Sequence, residues 1–138
     1  MHELPPEACI SHLLHQADRL GVEVRWLPVN ESQMPQGLYQ AQPDRPGVIE
    51  LRTETSPAPS PALCRLLTHE MVHVLQHWHT DFKAVLPLGW PQDGLITQQR
   101  KLSPHEAEAF TAQDKPQIVL DALKALMPVS SQTHSTGK

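Results

Sequence analysis

The sequence predicts an α+β fold, because helical patterns flank a central region in which apolar and polar residues alternate. Apolar residues recur at helical spacing in Pro5–Leu20 and again in Ala62–His77. Between these segments, Val22–Leu27 alternates in the manner of a half-buried strand. A chain of 138 residues can bury one core. We therefore predict a single domain over residues 1–128, followed by a flexible polar tail over residues 129–138.

The first half of the chain predicts one helix followed by a small sheet. The first helix should end at Gly21, since glycine is a common C-terminal stop. Two short strands are predicted at Leu38–Ala41 and Val48–Arg52, and the segment Gln42–Gly47 between them is rich in turn-forming residues. This arrangement predicts a hairpin, so we expect a small, mostly antiparallel sheet.

The second half of the chain is predicted to be helical around one long loop. Ser60-Pro61 provides an N-cap and a first residue for the helix that follows. Phe82–Gln99 contains two prolines and two glycines, so we interpret it as a long surface loop, which could close as a lid. A helix is predicted over Ser103–Gln113 and a C-terminal helix over Pro116–Met127.

Composition excludes several classes of function. The net charge is −4 and no basic patch is visible, so we expect no nucleic-acid partner. No apolar run approaches the roughly 18 residues of a membrane span, and no secretory signal is recognisable at the N-terminus. Cys9 and Cys64 form no CxxC pair and are interpreted as free thiols in a reducing compartment. The sequence therefore predicts a cytoplasmic protein.

Histidines are concentrated in one helical segment, where four of the nine lie between residues 69 and 79. His69 and His73 are four residues apart, so their rings lie on one face of a helix, one turn apart. Two imidazole nitrogens in this arrangement can share a tetrahedral zinc ion at about 2.1 Å each. Glu70 is rotated by about 100° around the helix. Its carboxylate could reach a water on that zinc and take its proton.

The pattern HExxH also occurs by chance in unrelated chains, where a plain helical domain explains it. Here its context is apolar, because the same helix carries Leu63, Leu66, Leu67, Val72, Val74 and Leu75. Burying two histidines and a glutamate in such a helix costs several kcal/mol unless their polar atoms are satisfied, and a metal satisfies them. The context therefore favours a zinc site.

The segment Leu67–Gln76 resembles the active-site helix of zincin metallopeptidases, and the order of helix, small sheet and HExxH helix is also similar. The resemblance implies a zinc-dependent peptidase that acts on a peptide or protein substrate, with Glu70 as its catalytic residue. It also implies that Val48–Arg52 is an edge strand that pairs with extended substrate, and that the source is bacterial. The alternative is a non-catalytic zinc-binding domain with a regulatory or interaction role.

A catalytic zinc site needs a third protein ligand and an open fourth position. Ser103–Phe110 resembles the ExEA segment of small gluzincin-like families of the ImmA/IrrE type, which implies that Glu106 is the third ligand. Such segments often carry Asp or Asn four residues after the ligand, where this chain has Phe110. Ser103 and Glu106 also form a capping-box pattern, and if that box forms, Glu108 becomes the alternative ligand.

His79 is the other candidate for the third ligand, because it lies ten residues after His69, as in the metzincin pattern HExxHxxGxxH. That pattern requires glycine at the position of Gln76, where this helix continues. His77 is interpreted as a solvated residue or a support for the ligands. Three side chains remain open as groups that could stabilise an oxyanion: His77, His105 and Tyr39.

Overall fold

The computed structural model describes residues 4–28, 36–53 and 58–129. Within these ranges the chain forms five helices and a three-stranded sheet, which confirms the α+β class. All but the first residue of the predicted C-terminal tail lies outside the described residues. The elements in chain order are α1 (Pro6–Leu20), β1 (Glu23–Pro28), β2 (Gln36–Gln42), β3 (Arg45–Thr53), α2 (Pro61–His79), α3 (Gly94–Arg100), α4 (Pro104–Ala112) and α5 (Pro116–Lys124).

The predicted end of α1 and the predicted start of α2 are confirmed. Gly21 follows α1 with φ 78°, a left-handed conformation that glycine adopts without steric cost. At the start of α2, the Ser60 hydroxyl accepts a hydrogen bond of 3.1 Å from the Leu63 N–H, and Pro61 occupies the first turn. These local signals therefore set the end of α1 and the start of α2.

The sheet has the order β1-β3-β2 and is mixed. β2 and β3 form the predicted antiparallel hairpin, whereas β1 pairs with β3 in parallel, contrary to the mostly antiparallel sheet that we expected. β3 lies between β1 and β2, and these two strands run in opposite directions, so one of them must pair with β3 in parallel. β3 is also central, so the expectation that Val48–Arg52 forms an edge strand is wrong. The edge strand on the hairpin side is β2.

α2 is the centre of the molecule. It contacts α1, α4 and α5, and it packs against β2 and β3 of the sheet. Every residue from 67 to 77 is buried, which is the pattern of a helix enclosed on all sides. The core around it is mainly aliphatic and is supplied by α1, α2, α4, α5 and the sheet. Polar side chains on this stretch of α2 must therefore find partners inside the protein.

Cys9 and Cys64 form a disulfide that joins α1 to α2, with a Cα–Cα distance of 5.8 Å. The expectation of two free thiols is therefore wrong. The two residues are 55 positions apart, so their contact arises from the packing of two helices and no local spacing pattern could reveal it. The compartment stays a prediction, and the disulfide removes the free-thiol argument for the cytoplasm.

The predicted loop over Phe82–Gln99 is interrupted by the short helix α3. The Asp93 carboxylate accepts a hydrogen bond of 2.9 Å from the Leu95 N–H and so satisfies one donor of the first turn. The Asp93 N–H in turn donates to the Thr111 hydroxyl on α4, over 2.8 Å. This tertiary contact, which the sequence pattern does not reveal, fixes where the helix begins.

In the described part of the chain, no helix combines the length and apolar character that crossing a bilayer requires.

Candidate metal centre

The two histidines of the HExxH pattern lie on one face of α2, as their spacing predicts. The rings of His69 and His73 are 5.1 Å apart at their centroids and are inclined by 81°. Both side chains are at least nine-tenths buried. Their Nε2 atoms point across to α4, so α2 and α4 together enclose the site.

Glu106 lies in the first turn of α4, opposite the two histidines. Its Oε1 atom is 3.1 Å from His69 Nε2 and 3.3 Å from His73 Nε2. One ligand atom from each residue lies within 4.8 Å of the others, a grouping that could hold a metal ion. The capping box that would have used Glu106 does not form, because the Ser103 hydroxyl contacts His105 Nδ1 at 3.1 Å instead.

The two alternative third ligands lie outside this cluster. Glu108 is fully buried and turned toward a neighbouring loop, where its carboxylate accepts backbone N–H groups of residues 88–90. His79 is the last residue of α2 and is exposed. Since α2 runs unbroken from His69, His79 lies about 15 Å further along its axis. The structure therefore brings His69, His73 and Glu106 together and leaves Glu108 and His79 apart.

Two glutamines that the sequence reasoning did not select hold the histidine rings. His69 Nδ1 lies 2.9 Å from Gln113 Oε1, and His73 Nδ1 lies 2.7 Å from Gln76 Oε1. Partners of this kind orient metal-binding imidazoles and select their tautomer. Gln113 is thus a partner of His69 that we did not predict from the sequence. Phe110 instead packs edge-on against His69, with ring centroids 4.6 Å apart.

The donors and acceptors of the cluster suit a cation. An imidazole that donates its Nδ1–H to an amide oxygen presents an unprotonated Nε2 in its neutral form. Two such nitrogens and the Glu106 carboxylate oxygen are all acceptors, and they converge within 4.8 Å. Protons or a metal ion must satisfy them, and two imidazoles with one carboxylate form a common ligand set for zinc.

The charges of the cluster are strongly coupled. Hydrogen bonds with His69 and His73 hold the pKa of Glu106 far below its usual range. Burial lowers the pKa of His73, but its hydrogen bonds with Glu106 and Gln76, together with the charges of Glu70 and Glu106, outweigh this effect and leave that pKa above the usual value. Glu106 is therefore ionised at neutral pH, as a metal-binding carboxylate must be.

Glu70 is only 4% exposed and lies beside the cluster under the edge strand β2. Burial raises the pKa of its carboxyl group, while the neighbouring His69 and His73 oppose that increase. The Cα of Gly37 on β2 passes so close that a Cβ atom there would lie 2.9 Å from Glu70 Oε2. A buried carboxyl group with a raised pKa, next to a possible metal site, is suited to proton transfer.

No protein-family model, curated protein or solved structure matches the chain.

A cleft of about 460 Å³ opens beside the cluster. It is bounded by β2, by the start of α4 and by the segment after α2, and its lining is mostly apolar apart from the cluster. The lining residues are Gly37, Leu38, Tyr39, His69, Glu70, His73, Val85, Leu102, His105, Glu106 and Phe110. The three metal-binding candidates and Glu70 therefore share one open space that a substrate could enter.

Of the three side chains that could stabilise an oxyanion, Tyr39 and His77 form a hydrogen bond with each other. The Tyr39 hydroxyl lies 2.7 Å from His77 Nδ1 and accepts a hydrogen bond of 2.8 Å from the Gly47 N–H. His77 is only 1% exposed, so it is not solvated as one of our two interpretations had it. His105 lines the cleft, with its ring centroid 5.7 Å from that of His73. Of the three, it is the best placed to face a bound substrate.

Proposed function

We propose that this chain is a zinc-dependent metallopeptidase of zincin type that hydrolyses bonds in a peptide or protein substrate. The observation that carries this proposal is the convergence of His69, His73 and Glu106, within 4.8 Å, in the same cleft as the buried Glu70. When bound there, zinc would supply Lewis-acid polarisation of a carbonyl and would lower the pKa of a water. The residues of the chain supply the remaining steps.

Glu70 has the properties of a general base in this reaction. It would take a proton from the attacking water and then deliver that proton to the nitrogen of the leaving amine. The raised pKa of its carboxyl group makes Glu70 a stronger base for the first half of this transfer, the removal of a proton from water. His105 would donate to the oxygen that becomes negatively charged on the substrate carbonyl.

The edge strand β2 is the strand along which an extended substrate would lie. It borders the cleft through Gly37, Leu38 and Tyr39, and among the described residues it pairs with β3 on one side only. The other side of an edge strand offers backbone groups to an added strand. The role that the zincin resemblance gave to β3 therefore passes, in this proposal, to β2.

The metal ligands are tested by zinc content and affinity. The full chain should bind about one zinc ion, measured by elemental mass spectrometry and by competition with a chromogenic chelator. His69→Ala and Glu106→Ala should weaken binding at least about 100-fold, since each removes one direct ligand. His79→Ala is the matched control, since His79 is exposed and remote, and it should bind zinc as the parent does. Full-strength binding by Glu106→Ala would refute the ligand set.

Hydrolysis is tested on the zinc-loaded full chain with unfolded casein and with a library of quenched fluorescent peptides. Glu70→Gln should keep its zinc and lose about 10²- to 10⁴-fold in rate, the usual contribution of a general base. Glu7→Gln, on the exposed side of α1, is the control for the change of charge. If Glu70→Gln cleaves as fast as the parent, catalysis by Glu70 is wrong. Zinc binding without any cleavage would favour the non-catalytic regulatory domain.

A further inference from the structure

Glu108 is a fully buried carboxylate that lies outside the ligand cluster, yet both of its oxygens are occupied. Oε2 accepts hydrogen bonds from the N–H groups of Leu88, Gly89 and Trp90 at 2.9, 2.9 and 2.8 Å. Oε1 accepts a second bond from Leu88 at 2.7 Å. Gly89 has φ +98°, a left-handed conformation that L-residues rarely adopt. Three consecutive amides therefore converge on one carboxylate and hold it in place.

Gln76 connects this carboxylate to a candidate metal ligand. Its Nε2 donates to Glu108 Oε1 over 2.8 Å and to the His105 carbonyl over 3.0 Å. Both partners can only accept, so the NH₂ end of the amide must face them. The Oε1 end of Gln76 then faces His73 Nδ1, 2.7 Å away. The partners of Gln76 thus remove the usual ambiguity about which way an amide points.

The orientation of Gln76 decides where His73 carries its proton. An amide oxygen opposite Nδ1 requires a proton on Nδ1, so the neutral ring keeps its Nε2 lone pair for a metal. A second proton on Nε2 gives the charged ring that hydrogen-bonds to Glu106 when no metal is bound. The reversed amide would place an NH₂ group opposite Nδ1 and move the proton to Nε2. In that tautomer Nε2 cannot bind a metal without first losing its proton.

We propose that Glu108 is a positioning residue that sets the metal-binding tautomer of His73 through Gln76. The segment 88–90 supports this arrangement by holding Glu108 in place. The inference rests on the proposed metal centre and is independent of peptide hydrolysis. It separates the two glutamates of α4, since Glu106 would bind the metal and Glu108 would control the state of a ligand.

The test uses Glu108→Gln in the full chain. The amide at position 108 has only one oxygen, so it cannot accept hydrogen bonds from both the loop and Gln76. If its oxygen faces the loop, its NH₂ group faces the NH₂ group of Gln76, and Gln76 must reverse to avoid this clash. In ¹⁵N imidazole spectra of the chelator-treated protein, the parent should show an Nδ1–H signal for His73, and Glu108→Gln should lose that signal and keep only Nε2–H. The His73 signals are assigned by their loss in His73→Asn. Zinc affinity should fall by about tenfold or more.

The double variant Gln76→Glu/Glu108→Gln exchanges the two groups and should rescue the tautomer. The carboxylate at position 76 accepts hydrogen bonds from His73 Nδ1–H and from the NH₂ group of the new amide at position 108. The oxygen of that amide accepts from the N–H groups of the loop. The exchange loses the bond to the His105 carbonyl, so we expect lower stability but a restored Nδ1–H signal. Because this variant keeps one buried negative charge, it also serves if Glu108→Gln alone does not fold.

Glu50→Gln is the matched control, because Glu50 is a mostly buried carboxylate on β3 that pairs with Arg25 and Arg52. It should leave both the His73 tautomer and the zinc affinity unchanged. The inference is overturned if Glu108→Gln keeps the Nδ1–H form, or if the double variant shows the Nε2–H form. A parent that binds no zinc would refute the metal centre, while the tautomer spectra would still decide the role of Glu108.

Discussion

Gly37 lies where the edge strand β2 passes closest to the proposed general base. A Cβ atom on this residue would lie 2.9 Å from Glu70 Oε2 and 3.1 Å from Leu66 Cδ1. Real Cβ atoms essentially never make the first of these contacts, so either the strand or the carboxylate would have to shift. Position 37 therefore controls the placement of Glu70 without belonging to the ligand cluster.

We expect Gly37→Ala to lower kcat by about 10- to 100-fold, because small displacements of a catalytic group have effects of this size. Zinc affinity should stay close to that of the parent, since the substitution touches none of the three candidate ligands. Steady-state kinetics and chelator competition measure the two quantities. Gly94→Ala, where a Cβ meets nothing within 4 Å, is the control. An unchanged kcat in Gly37→Ala would contradict the close approach.

Tyr39 is the only tyrosine of the chain, so its titration can be followed alone. Burial raises the pKa of its hydroxyl to about 12, against the lowering effect of the Gly47 N–H. Absorbance at about 295 nm should therefore show a midpoint near pH 12 in the folded protein. In denaturant the midpoint should return to the ordinary value of about 10. A folded-state midpoint near the ordinary value would rule out the buried hydrogen-bonded hydroxyl.

The raised pKa of Tyr39 also determines how the stability of the folded protein changes with pH. Because the pKa of Tyr39 is higher in the folded state, its stabilising contribution is complete below about pH 10 and is lost as the pH rises toward 12. Tyr39→Phe should remove this part of the alkaline loss, and urea unfolding at a series of pH values measures it.

Among the elements, α1 and α2 are joined both by packing and by the Cys9–Cys64 disulfide. The bond closes a loop that contains the whole sheet, because β1, β2 and β3 all lie between the two cysteines. Thr68, on the same helix as His69 and His73, packs against both sulfur atoms at 3.9 and 4.0 Å. The covalent link is therefore attached to the helix that carries His69 and lies beside Thr68, the residue before it.

Removal of the disulfide should lower the free energy of unfolding by about 4 kcal/mol, according to the loop-entropy relation for the 55 residues it spans. Urea unfolding of the parent, with and without a thiol reductant, measures the change. The double variant Cys9→Ala/Cys64→Ala should be insensitive to the reductant. Equal midpoints for the oxidised and reduced parent would mean that the bond contributes nothing to the folded state.

At the scale of the whole molecule, α2 contacts most of the other elements. The candidate metal ligands lie on two helices, α2 and α4. His73 and Glu106 are 33 residues apart in sequence, and their side chains meet at 3.3 Å. A metal ion between them would link α2 to α4 only in the folded state. Zinc should therefore stabilise the whole domain by mass action.

We expect zinc at about 1,000 times its Kd to stabilise the fold by about 4 kcal/mol. The corresponding rise in Tm is on the order of 10 °C for a domain of this size. Differential scanning calorimetry with zinc or with excess chelator measures the difference. His69→Ala should show no zinc-dependent rise, whereas His79→Ala should respond like the parent. If chelator leaves the Tm of the parent unchanged, the cluster holds no stabilising ion.

The sequence by itself determined the local features of this protein. The spacing of His69, Glu70 and His73 placed both imidazoles on one helical face because a helix turns every 3.6 residues. Gly21 and Ser60 marked the ends of helices through backbone conformation and capping, which depend on neighbouring residues alone. The turn between β2 and β3 likewise predicted their pairing. Such features are encoded within a few positions and can be recognised without knowledge of the rest of the chain.

Only the tertiary structure decided which distant residues meet. It brought Glu106 to the histidines, turned Glu108 toward the loop and placed Gln113 on His69, although all three lie on or beside one helix. It also placed β3 in the centre of the sheet and joined Cys9 to Cys64. These pairings depend on how helices and strands pack over separations of tens of residues. No periodicity within a single element contains that information, and for this reason Glu106 could be proposed from the sequence, but its place beside the histidines could be seen only in the fold.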